Sequence, residues 1–382
     1  MAVRSLQWIS EVKYQDPATK TYLGSPSLLR ISKDILLASH DYFGPGCPKN
    51  QEGEEFLTSI YRSGDNGQTW QQLTHIAGAF WSTLFQHRDA IYLLGTSAQY
   101  GSIVIRRSQD GGCTWTNPED EKTGLLFRGG VFHDPPNYHC APTPVVEYKG
   151  RLYRAFEDNP TTVWPRDFKT LVISCPVECD LLEAANWQMS NKLDYPHHAD
   201  PPEWGDGGSS GWLEGNVVPA PGGGFCNILR VNSSPIVDRA AIVQIGEEGR
   251  EVFFHPSDFI HFPGGMSKFT IRQDSQSGLY WTLTNNNTDP TIPYQRNVLS
   301  LYASEDLRHW QFVKTILQDD QDLSPKESLE LTGFQYADWQ FDGQDLIILV
   351  RVAYKGARNY HDANRIVFTK VETFRSLTPA GL

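Results

Sequence analysis

Short apolar segments that meet at polar turns recur along the whole chain. Six such pairs begin near residues 25, 82, 141, 216, 268 and 336. Each pair predicts a β-hairpin, because β-branched and aromatic residues flank a tight turn on both sides. The hairpins are spaced by about 50 to 75 residues, which is typical of the four-stranded blades of a β-propeller. The pattern therefore predicts an all-β fold.

The hairpins are interpreted as the inner two strands of six blades, with the outer two strands following each hairpin. The block after Asn364 contains only one clear outer strand, so we expect the N-terminal segment 6–12 to close the ring as the missing strand. The long interval between residues 157 and 216 leaves room for further strands. Helical periodicity is nearly absent, and only the segment 178–187 suggests a helical turn.

The chain shows no Pro-rich or Ser-rich linker that would divide it. We therefore expect one domain that spans residues 1–382, a single β-propeller. Two β-sandwiches are the alternative, but they do not explain the even spacing of the hairpins.

A second repeat has the form S-x-D-x-G-x-T-W. It occurs at residues 63–70 and 108–115, with a looser copy at 304–310. The Asp and Gly predict a tight turn in which the carboxylate accepts hydrogen bonds from nearby backbone N–H groups. The Trp is expected to fill the apolar gap between neighbouring sheets. The repeat resembles the Asp box of sialidases and their relatives, and this implies a structural role between the two outer strands of a blade.

Composition and charge narrow the choice of partner. The chain contains 11 Trp, 16 Tyr and 19 Phe, which suits packing on β-sheets and stacking on sugar rings. Its net charge of −12 disfavours nucleic acid, which requires Lys and Arg contacts to phosphates. An acidic substrate must therefore be held by local cations. No run of about 18 apolar residues is present, so we expect no membrane partner.

The spacing of the cysteines, the N-terminal sequence and the glycosylation sequons bear on whether the protein binds a metal and whether it is secreted. Six Cys without CxxC spacing predict no zinc site, and no metal or cofactor is expected. The N-terminus has no apolar signal core, whereas the sequons at Asn232 and Asn286 favour secretion. We expect a secreted monomer whose signal peptide is absent from this chain, rather than a cytoplasmic protein.

Propeller geometry predicts where the chemistry lies. First strands begin, and second strands end, at the same rim of the central funnel, so the residues at these positions converge from every blade. They include His40, Asp41, Trp81, Tyr100, His139, Glu157, Asp158, Glu214, Asn216, Arg230, Lys268, Asn285, the segment 335–338 and Arg351, to which the following loops add Arg166, His361 and Asn364. Several Arg and His side chains at one opening favour an anionic ligand, because Arg binds carboxylates in a bidentate manner.

Several longer phrases carry a more specific resemblance. They are YLGSPSLLR, ASHDYFGPG, YHCAPTPVVEYKGRLYRAFED, GWLEGN, NILRV, GGMSKFTIR, TGFQYADWQF and NYHDAN, and the match runs from about residue 8 to residue 375. They resemble a family of sialidase-like propellers that cleave L-rhamnose-α-1,4-D-glucuronic acid caps of gum arabic and arabinogalactan, either as lyases or as rhamnosidases. This resemblance implies seven blades, one more than the hairpin count.

True sialidases are the nearest competitor. They use three Arg on the sialate carboxylate, a Tyr nucleophile with a Glu partner and an Asp acid, and they begin with a Phe/Tyr-Arg-Ile-Pro motif. The equivalent segment here, residues 25–30, places Arg30 near a hairpin turn and away from the rim. This departure argues against sialidase activity.

The predicted reaction is β-elimination from a glucuronate that carries rhamnose on O4, in an acidic oligo- or polysaccharide. A base removes the proton on C5, an acid protonates O4, and cations neutralise the carboxylate. His40, His139 and Tyr100 are the predicted proton-transfer residues, with His40 foremost. The predicted substrate-binding residues are Arg166, Glu214, Asn216, Arg230, Lys268, Arg351, His361 and Asn364.

Two alternatives stay open at this level. Glu157, Asp158 and Glu214 could supply the paired carboxylates of a glycoside hydrolase acting on the same cap, either an α-L-rhamnosidase or a sialidase-like enzyme. A propeller that binds sugar without cleaving it would need the aromatic residues and the Arg side chains, but no base and acid.

Overall fold

Six antiparallel sheets follow one another along the chain and form the six blades of a β-propeller. The computed structural model describes residues 8–204 and 210–379. The hairpin count of six is confirmed, and the seven blades implied by the family resemblance are wrong for this chain. The long interval after residue 157 adds no blade in its described part, because its strands complete the third blade.

The strands are numbered in chain order. The first, β1 (Ser10–Tyr14), precedes the first blade. The first blade contains β2 (Tyr22–Leu23), β3 (Ser27–Arg30), β4 (Leu36–Phe43), β5 (Leu57–Ser63) and β6 (Gln71–Ala77). The second contains β7 (Phe80–His87), β8 (Ala90–Thr96), β9 (Ile103–Ser108) and β10 (Leu125–Phe127). The third contains β11 (Tyr138–His139), β12 (Val146–Tyr148), β13 (Arg151–Asp158), β14 (Lys169–Pro176) and β15 (Gln188–Met189).

The remaining three blades repeat this arrangement. The fourth contains β16 (Gly211–Pro219), β17 (Phe225–Asn232), β18 (Arg239–Ile245), β19 (Val252–Phe253) and β20 (Phe259–His261). The fifth contains β21 (Thr270–Gln273), β22 (Tyr280–Thr284), β23 (Val298–Ser304) and β24 (Gln311–Gln318). The sixth contains β25 (Gly333–Asp342), β26 (Asp345–Ala353) and β27 (Arg365–Val371).

The N-terminal strand closes the ring, as predicted. Strand β1 pairs antiparallel with β27, with Ser10 opposite Phe368 and Tyr14 opposite Arg365. The sixth blade is therefore built from both ends of the described chain, β1 being its outermost strand. This pairing covers the outer edge of β27 and joins the two ends of the described chain within one sheet.

Helical structure is sparse. One α-helix, α1 (Pro325–Leu331), precedes the sixth blade, and Ser324 and Glu327 form a capping box at its start. Its seven residues are too few to show helical periodicity, although the S-x-x-E signature is present in the sequence. The predicted turn near residue 180 is a 3-10 turn. The 3-10 turns of the described residues are Pro17–Thr19, Ala184–Asn186, His197–Ala199, Pro202–Trp204, Glu247–Gly249, Pro256–Asp258 and Phe374–Leu377.

The Asp boxes connect third and fourth strands, as predicted. In the first box, the Asp65 carboxylate accepts hydrogen bonds from the backbone N–H and the hydroxyl of Thr69 at 2.9 and 2.6 Å. Trp70 packs against Phe368 of the sixth blade, with ring centroids 5.7 Å apart. The box therefore seals a joint between two blades.

Polar side chains join the innermost strands at all six blade interfaces. Because these strands cannot pair with each other as a sheet, buried side chains satisfy backbone groups across each gap. The bonds are Leu28 N to Asp338 Oδ2 (2.8 Å), Leu84 N to Ser27 Oγ (3.0 Å), Thr83 Oγ1 to Thr143 O (2.9 Å), Gly215 N to Glu157 Oε1 (3.1 Å), Ile271 N to Asn216 Oδ1 (3.1 Å) and Lys268 Nζ to Ala337 O (2.9 Å).

Candidate active site

A cavity of about 210 Å³ opens where the first strands begin and the second strands end. Every blade except the fifth contributes to its walls, and aromatic rings form much of the surface. It is lined by Gly24, Ser25, Phe43, Glu55, Phe80, Trp81, Gln99, Tyr100, His139, Trp164, Leu213, Glu214, Tyr336, Arg351 and His361. The geometric rule used on the sequence therefore located the mouth of the funnel.

Three bulges in first strands point side chains into this cavity. Trp81, Glu214 and Tyr336 have φ values of 45°, 59° and 55°, in the left-handed region that non-glycine residues rarely adopt. Each sits where the pairing of the first and second strands of its blade shifts register. A bulge of this kind turns a side chain out of the ladder, and backbone strain of this kind is often found at functional sites.

Two of these bulge residues form a hydrogen-bonded pair. The Tyr336 hydroxyl donates to Glu214 Oε1 at 2.7 Å, and Arg230 Nη1 donates to Glu214 Oε2 at 2.9 Å. Burial, the largest single influence, would raise the pKa of Glu214, but the charge and hydrogen bond of Arg230, together with smaller contributions that include the hydrogen bond from Tyr336, lower it below its ordinary value. Burial, reinforced by the Glu214 charge, raises the pKa of Tyr336. The site thus holds an ionised carboxylate against a neutral phenol.

Two further arginines lie beside this pair without a carboxylate partner. Arg296 and Arg351 are only 5% and 4% exposed, and their guanidinium carbons lie 5.8 and 5.0 Å from the Tyr336 ring centroid. Arg296 donates to Gln335 Oε1 and Arg351 to the His361 carbonyl oxygen, and neither forms an ion pair within the described residues. Burial lowers the pKa of both, that of Arg351 to about 10. Two buried cations without counter-ions make this a site prepared for an anion.

A second hydrogen-bonded pair lies on another wall of the cavity. His139 Nδ1 lies 2.8 Å from Glu157 Oε2, and the other oxygen of Glu157 accepts a bond from Gly215 N at 3.1 Å. The imidazole packs against Trp81, with centroids 4.2 Å apart. Its Nε2 has no hydrogen-bond partner among the described residues. A histidine oriented by a buried carboxylate in this way is suited to proton transfer.

Tyr100 shares this wall with His139. Their ring centroids are 6.3 Å apart, and both side chains line the cavity. Burial and the charge of Glu54 raise the pKa of Tyr100 to about 12, so its hydroxyl is protonated near neutral pH. The structure therefore brings together two of the three predicted proton-transfer residues.

His40 does not line the cavity. Its Nδ1 lies 3.0 Å from the Asp41 carbonyl oxygen and its Nε2 lies 3.2 Å from the Tyr61 hydroxyl, so both ring nitrogens are engaged within the first blade. The ring packs between Tyr42 and Tyr61, and burial lowers its pKa to about 4. Position along β4 placed His40 near the rim, but the alternation of side chains directs it into the blade instead.

The predicted substrate-binding residues separate into two groups. Glu214, Arg351 and His361 line the cavity, and Arg230 contacts it through Glu214. Burial lowers the pKa of His361 to about 4, so its imidazole is neutral near pH 7.

The other four predicted binding residues lie elsewhere. Asn216 and Lys268 are buried in the joints between blades, and burial lowers the pKa of Lys268 to about 8. Asn364 exchanges two hydrogen bonds with the backbone of Tyr354, which explains its polarity without a ligand. Arg166 lies in a neighbouring surface groove. Asn216, Lys268 and Asn364 are needed by the fold, and sequence position alone does not separate such residues from ligand-binding ones.

Sequence reasoning missed Tyr336, Arg296 and Trp164 as individual site residues. Tyr336 lay within the segment 335–338 that was placed at the rim, but the bulge that turns it into the cavity has no sequence signature. Arg296 is in the loop between β22 and β23 at the same rim, the kind of loop from which Arg166 and His361 were selected, but the sequence analysis did not select it. Trp164 lies in the corresponding loop of the third blade.

The described residues meet the requirements of neither a metal centre nor a membrane-spanning helix. Within residues 8–204 and 210–379, no three His, Cys, Asp or Glu side chains are grouped closely enough to hold a metal ion. Across the same ranges, no helix has the length and apolar character that crossing a bilayer requires.

Comparison with solved structures places the fold among known propellers. A Penicillium chrysogenum α-L-arabinanase complexed with arabinobiose matches with a TM-score of 0.58, and a Fusarium graminearum α-L-arabinofuranosidase in complex with an iminosugar inhibitor matches with 0.59. Each alignment covers 96% of this chain and 98% of the other, at 13% identity.

A sialidase has the same fold. The Trypanosoma rangeli sialidase in complex with sialic acid matches with a TM-score of 0.56 at 13% identity, over 91% of this chain and 54% of the sialidase. No protein-family model matches the chain, and no curated protein sequence is significantly similar. At this identity the likeness establishes the fold, a six-bladed β-propeller like those of arabinanases and sialidases.

Proposed function

We propose that this protein is a retaining exo-glycosidase that removes a terminal acidic sugar. The observation that carries the proposal is the Tyr336–Glu214 pair, joined by a hydrogen bond of 2.7 Å and flanked by three buried arginines. A Tyr nucleophile in place of a carboxylate is known among glycosidases from the sialidases. A neutral phenol avoids the repulsion that a carboxylate nucleophile would meet at an anomeric carbon bearing its own carboxylate. This favours a 2-ulosonic acid, such as a sialic acid, as the terminal sugar.

The reaction would proceed in two steps. The Tyr336 oxygen attacks the anomeric carbon while Glu214 takes the phenolic proton, and the bond to the leaving oxygen breaks as that oxygen receives a proton. Water then attacks the glycosyl-tyrosine intermediate, and Glu214 returns the proton to the departing Tyr336 oxygen. His139, held by Glu157, is the residue we assign to protonate the leaving group and to deprotonate the water.

The arginines would recognise the sugar carboxylate. Arg230 forms an ion pair with Glu214, whereas Arg296 and Arg351 form no ion pair with a carboxylate among the described residues. Arg30 is not available for this role, because it forms an ion pair with Asp342 at 2.5 Å. This pair lies next to the hairpin turn between β3 and β4, at the end of β3. Arg351 lines the cavity and is expected to bind the carboxylate directly, whereas Arg296 contacts the Tyr336 ring without lining the cavity and would add positive charge beside it. This arrangement departs from the three-arginine arrangement of sialidases.

Elimination is the second candidate, and the His139–Glu157 pair favours it. In a rhamnose–glucuronate lyase, His139 Nε2 would take the proton from C5, Arg351 would neutralise the carboxylate, and Tyr100 would protonate O4 as rhamnose leaves. This is the reaction implied by the resemblance of the longer sequence phrases. It leaves the Tyr336–Glu214 pair without a chemical role, and for this reason we rank it second.

A substrate panel tests both candidates. The 4-methylumbelliferyl glycosides of N-acetylneuraminic acid, glucuronic acid and L-arabinofuranose would be assayed alongside gum arabic. We expect cleavage of the acidic glycosides, first of all the neuraminide. Release of rhamnose from gum arabic with a rising ultraviolet absorbance of a conjugated enoate would instead establish the lyase. Cleavage of the arabinofuranoside alone would contradict the role assigned to the arginines, and binding to gum arabic without cleavage would indicate a sugar-binding propeller.

Covalent trapping tests the nucleophile directly. A 2,3-difluorinated sialic acid forms its glycosyl-enzyme intermediate readily and hydrolyses it slowly. After incubation and proteolysis, mass spectrometry should find the added sugar on the peptide that contains Tyr336. A label on a peptide that contains Glu157 or Glu214, and none on Tyr336, would refute the assignment.

A further inference from the structure

A surface groove lies beside the cavity at the same rim of the propeller. It has a volume of about 330 Å³ and is built on the third blade. Its walls carry Pro160, Thr161, Arg166, Asp167, Phe168, Lys169, Asp194, Tyr195 and His197. Two basic side chains, Arg166 and Lys169, lie there beside aromatic rings and two carboxylates, so binding of an acidic sugar requires a cation that its carboxylate neighbour leaves accessible.

One loop, residues 159–168 between β13 and β14, connects the groove to the cavity. Trp164 of this loop lines the cavity and is nevertheless 45% exposed, so one edge of its ring faces solvent. The Arg230 guanidinium lies 5.7 Å from the centroid of the same ring and holds it in place. Arg166 lies two residues further along, so its Cα is at most about 7 Å from the Cα of Trp164 by the reach of an extended chain. This span is comparable to one sugar residue.

The loop is held in shape by its own contacts. Asn159 Nδ2 donates to the Val163 carbonyl oxygen at 3.2 Å, and the Thr161 hydroxyl donates to Asp167 Oδ2 at 2.6 Å. Trp212 Nε1 donates to the Phe168 carbonyl oxygen at 3.2 Å and ties the end of the loop to the fourth blade. A surface that is ordered before binding loses less conformational entropy when it holds a ligand.

The cations of the groove differ in their availability. Lys169 is paired with Asp194 at 2.9 Å. The side chain of Arg166 is 57% exposed, and its nearest carboxylate, that of Asp167, approaches only its Nε, at 3.9 Å. The outward part of its guanidinium is therefore available to a carboxylate from solution.

We propose that the substrate is an acidic glycan chain that extends from the cavity across this loop. Trp164 stacks on the sugar next to the scissile bond on the leaving-group side, and Arg166 binds a carboxylate one residue further along. The inference rests on the proposed function for the direction in which the glycan chain lies, because the terminal acidic sugar must occupy the cavity. It deepens that function by naming the substrate class as an acidic oligo- or polysaccharide.

Equilibrium binding tests the proposal. The affinity of the full chain would be measured by isothermal titration calorimetry for oligosialic acid, for oligosaccharides from gum arabic and for neutral arabinan oligosaccharides. At least one acidic chain should bind. Arg166→Ala should then weaken its binding about three- to tenfold, a loss that high salt removes. Trp164→Ala should weaken it about tenfold, whereas Trp164→Phe, which keeps an aromatic face, should retain most of the affinity.

Arg128→Ala is the matched control, because the Arg128 side chain is also exposed, at 68%, and only loosely paired, at 3.8 Å from Glu121. It should bind as the wild type does. Wild-type affinity in Arg166→Ala, equal binding of the neutral chains, or no binding of either acidic chain would overturn the inference. Cleavage without an Arg166 effect would leave the proposed function standing and remove this subsite. Arg166-dependent binding without cleavage would support this subsite and contradict the proposed function.

Discussion

Replacing Tyr336 by Phe tests the central step of the proposed chemistry. The substitution removes one oxygen, which is the proposed nucleophile and which donates to Glu214 at 2.7 Å. The ring, its contacts with Arg296 and Arg351, and the backbone at φ 55° are all kept. Turnover of the best acidic substrate in the panel should fall by about 1,000-fold or more, which corresponds to roughly 4 kcal/mol in the activation free energy.

The same substitution has a small structural cost. Losing a buried hydrogen bond to a charged acceptor destabilises a protein by about 1.5 to 3 kcal/mol. An unfolding entropy of about 2.1 cal/mol/K per residue over this chain gives a melting temperature lower by about 2 to 4 °C. Glu214 stays ionised, because Arg230 still donates to its other oxygen at 2.9 Å. A melting temperature that is lower by only a few degrees leaves the protein folded during the assay, so the loss of turnover would report on the chemistry and not on unfolding.

Tyr280→Phe is the matched control, since the Tyr280 hydroxyl is also hydrogen-bonded, at 2.8 Å to the Pro219 carbonyl oxygen, and lies outside the cavity walls. It should lose about 0.5 to 1.5 kcal/mol of stability, because its acceptor is a neutral carbonyl oxygen, while retaining turnover. The assays are initial rates at saturating substrate and differential scanning calorimetry. Turnover of Tyr336→Phe within tenfold of the wild type would refute the nucleophile assignment.

Three further substitutions probe the rest of the machinery. Glu157→Gln should lower turnover about 100-fold and shift the pH–rate profile by weakening the orientation of His139. Glu54→Gln, at another buried glutamate that pairs with a histidine, should do neither in the proposed hydrolysis, because Tyr100, whose pKa the Glu54 charge raises, takes no part in it. Equal profiles for the two variants would contradict the role of Glu157. His40→Ala should lower the melting temperature by about 4 °C, because a buried ring is lost, and should leave turnover unchanged. A 100-fold loss of turnover with an unchanged melting temperature would instead support the proton-transfer role that the sequence predicted for His40. Burial raises the pKa of Asp41 to about 7 from 3.8, so the folded state binds this proton more tightly and wild-type stability is lost as the pH rises from about 4 through 7. Asp41→Asn should flatten that decline in urea titrations, and an unchanged slope would show that Asp41 titrates normally.

The fold class followed from local properties of the sequence. Hairpin signals depend on strand-favouring residues and turn residues that are adjacent in the chain, so the six hairpins and their spacing could be predicted without tertiary information. The Asp boxes were predictable for the same reason, because Asp65 and Thr69 bond within one turn. The seventh blade came from resemblance alone, and the six sheets of the structure show that the hairpin count was right.

The rim was predictable as a region, and its individual residues were not. Strand order determines that His139, Glu214 and Arg351 come to the same opening, and they line the cavity. Strand order does not determine which face of a strand a residue occupies once a bulge intervenes, so Tyr336 was not singled out and His40 was placed at the rim although it is buried within its blade.

Tertiary structure alone decided which polar residues are free to act. Lys268 and Arg351 are both buried cations near the funnel, and their sequence contexts do not distinguish them. Lys268 donates to a carbonyl oxygen of the next blade and closes a joint, whereas Arg351 faces the cavity without a carboxylate partner among the described residues. Their difference lies in contacts between residues that are distant in the chain. Propensity and periodicity are local properties and carry no information about such contacts, so only the assembled ring separates the cation that supports the fold from the one that is available to a ligand.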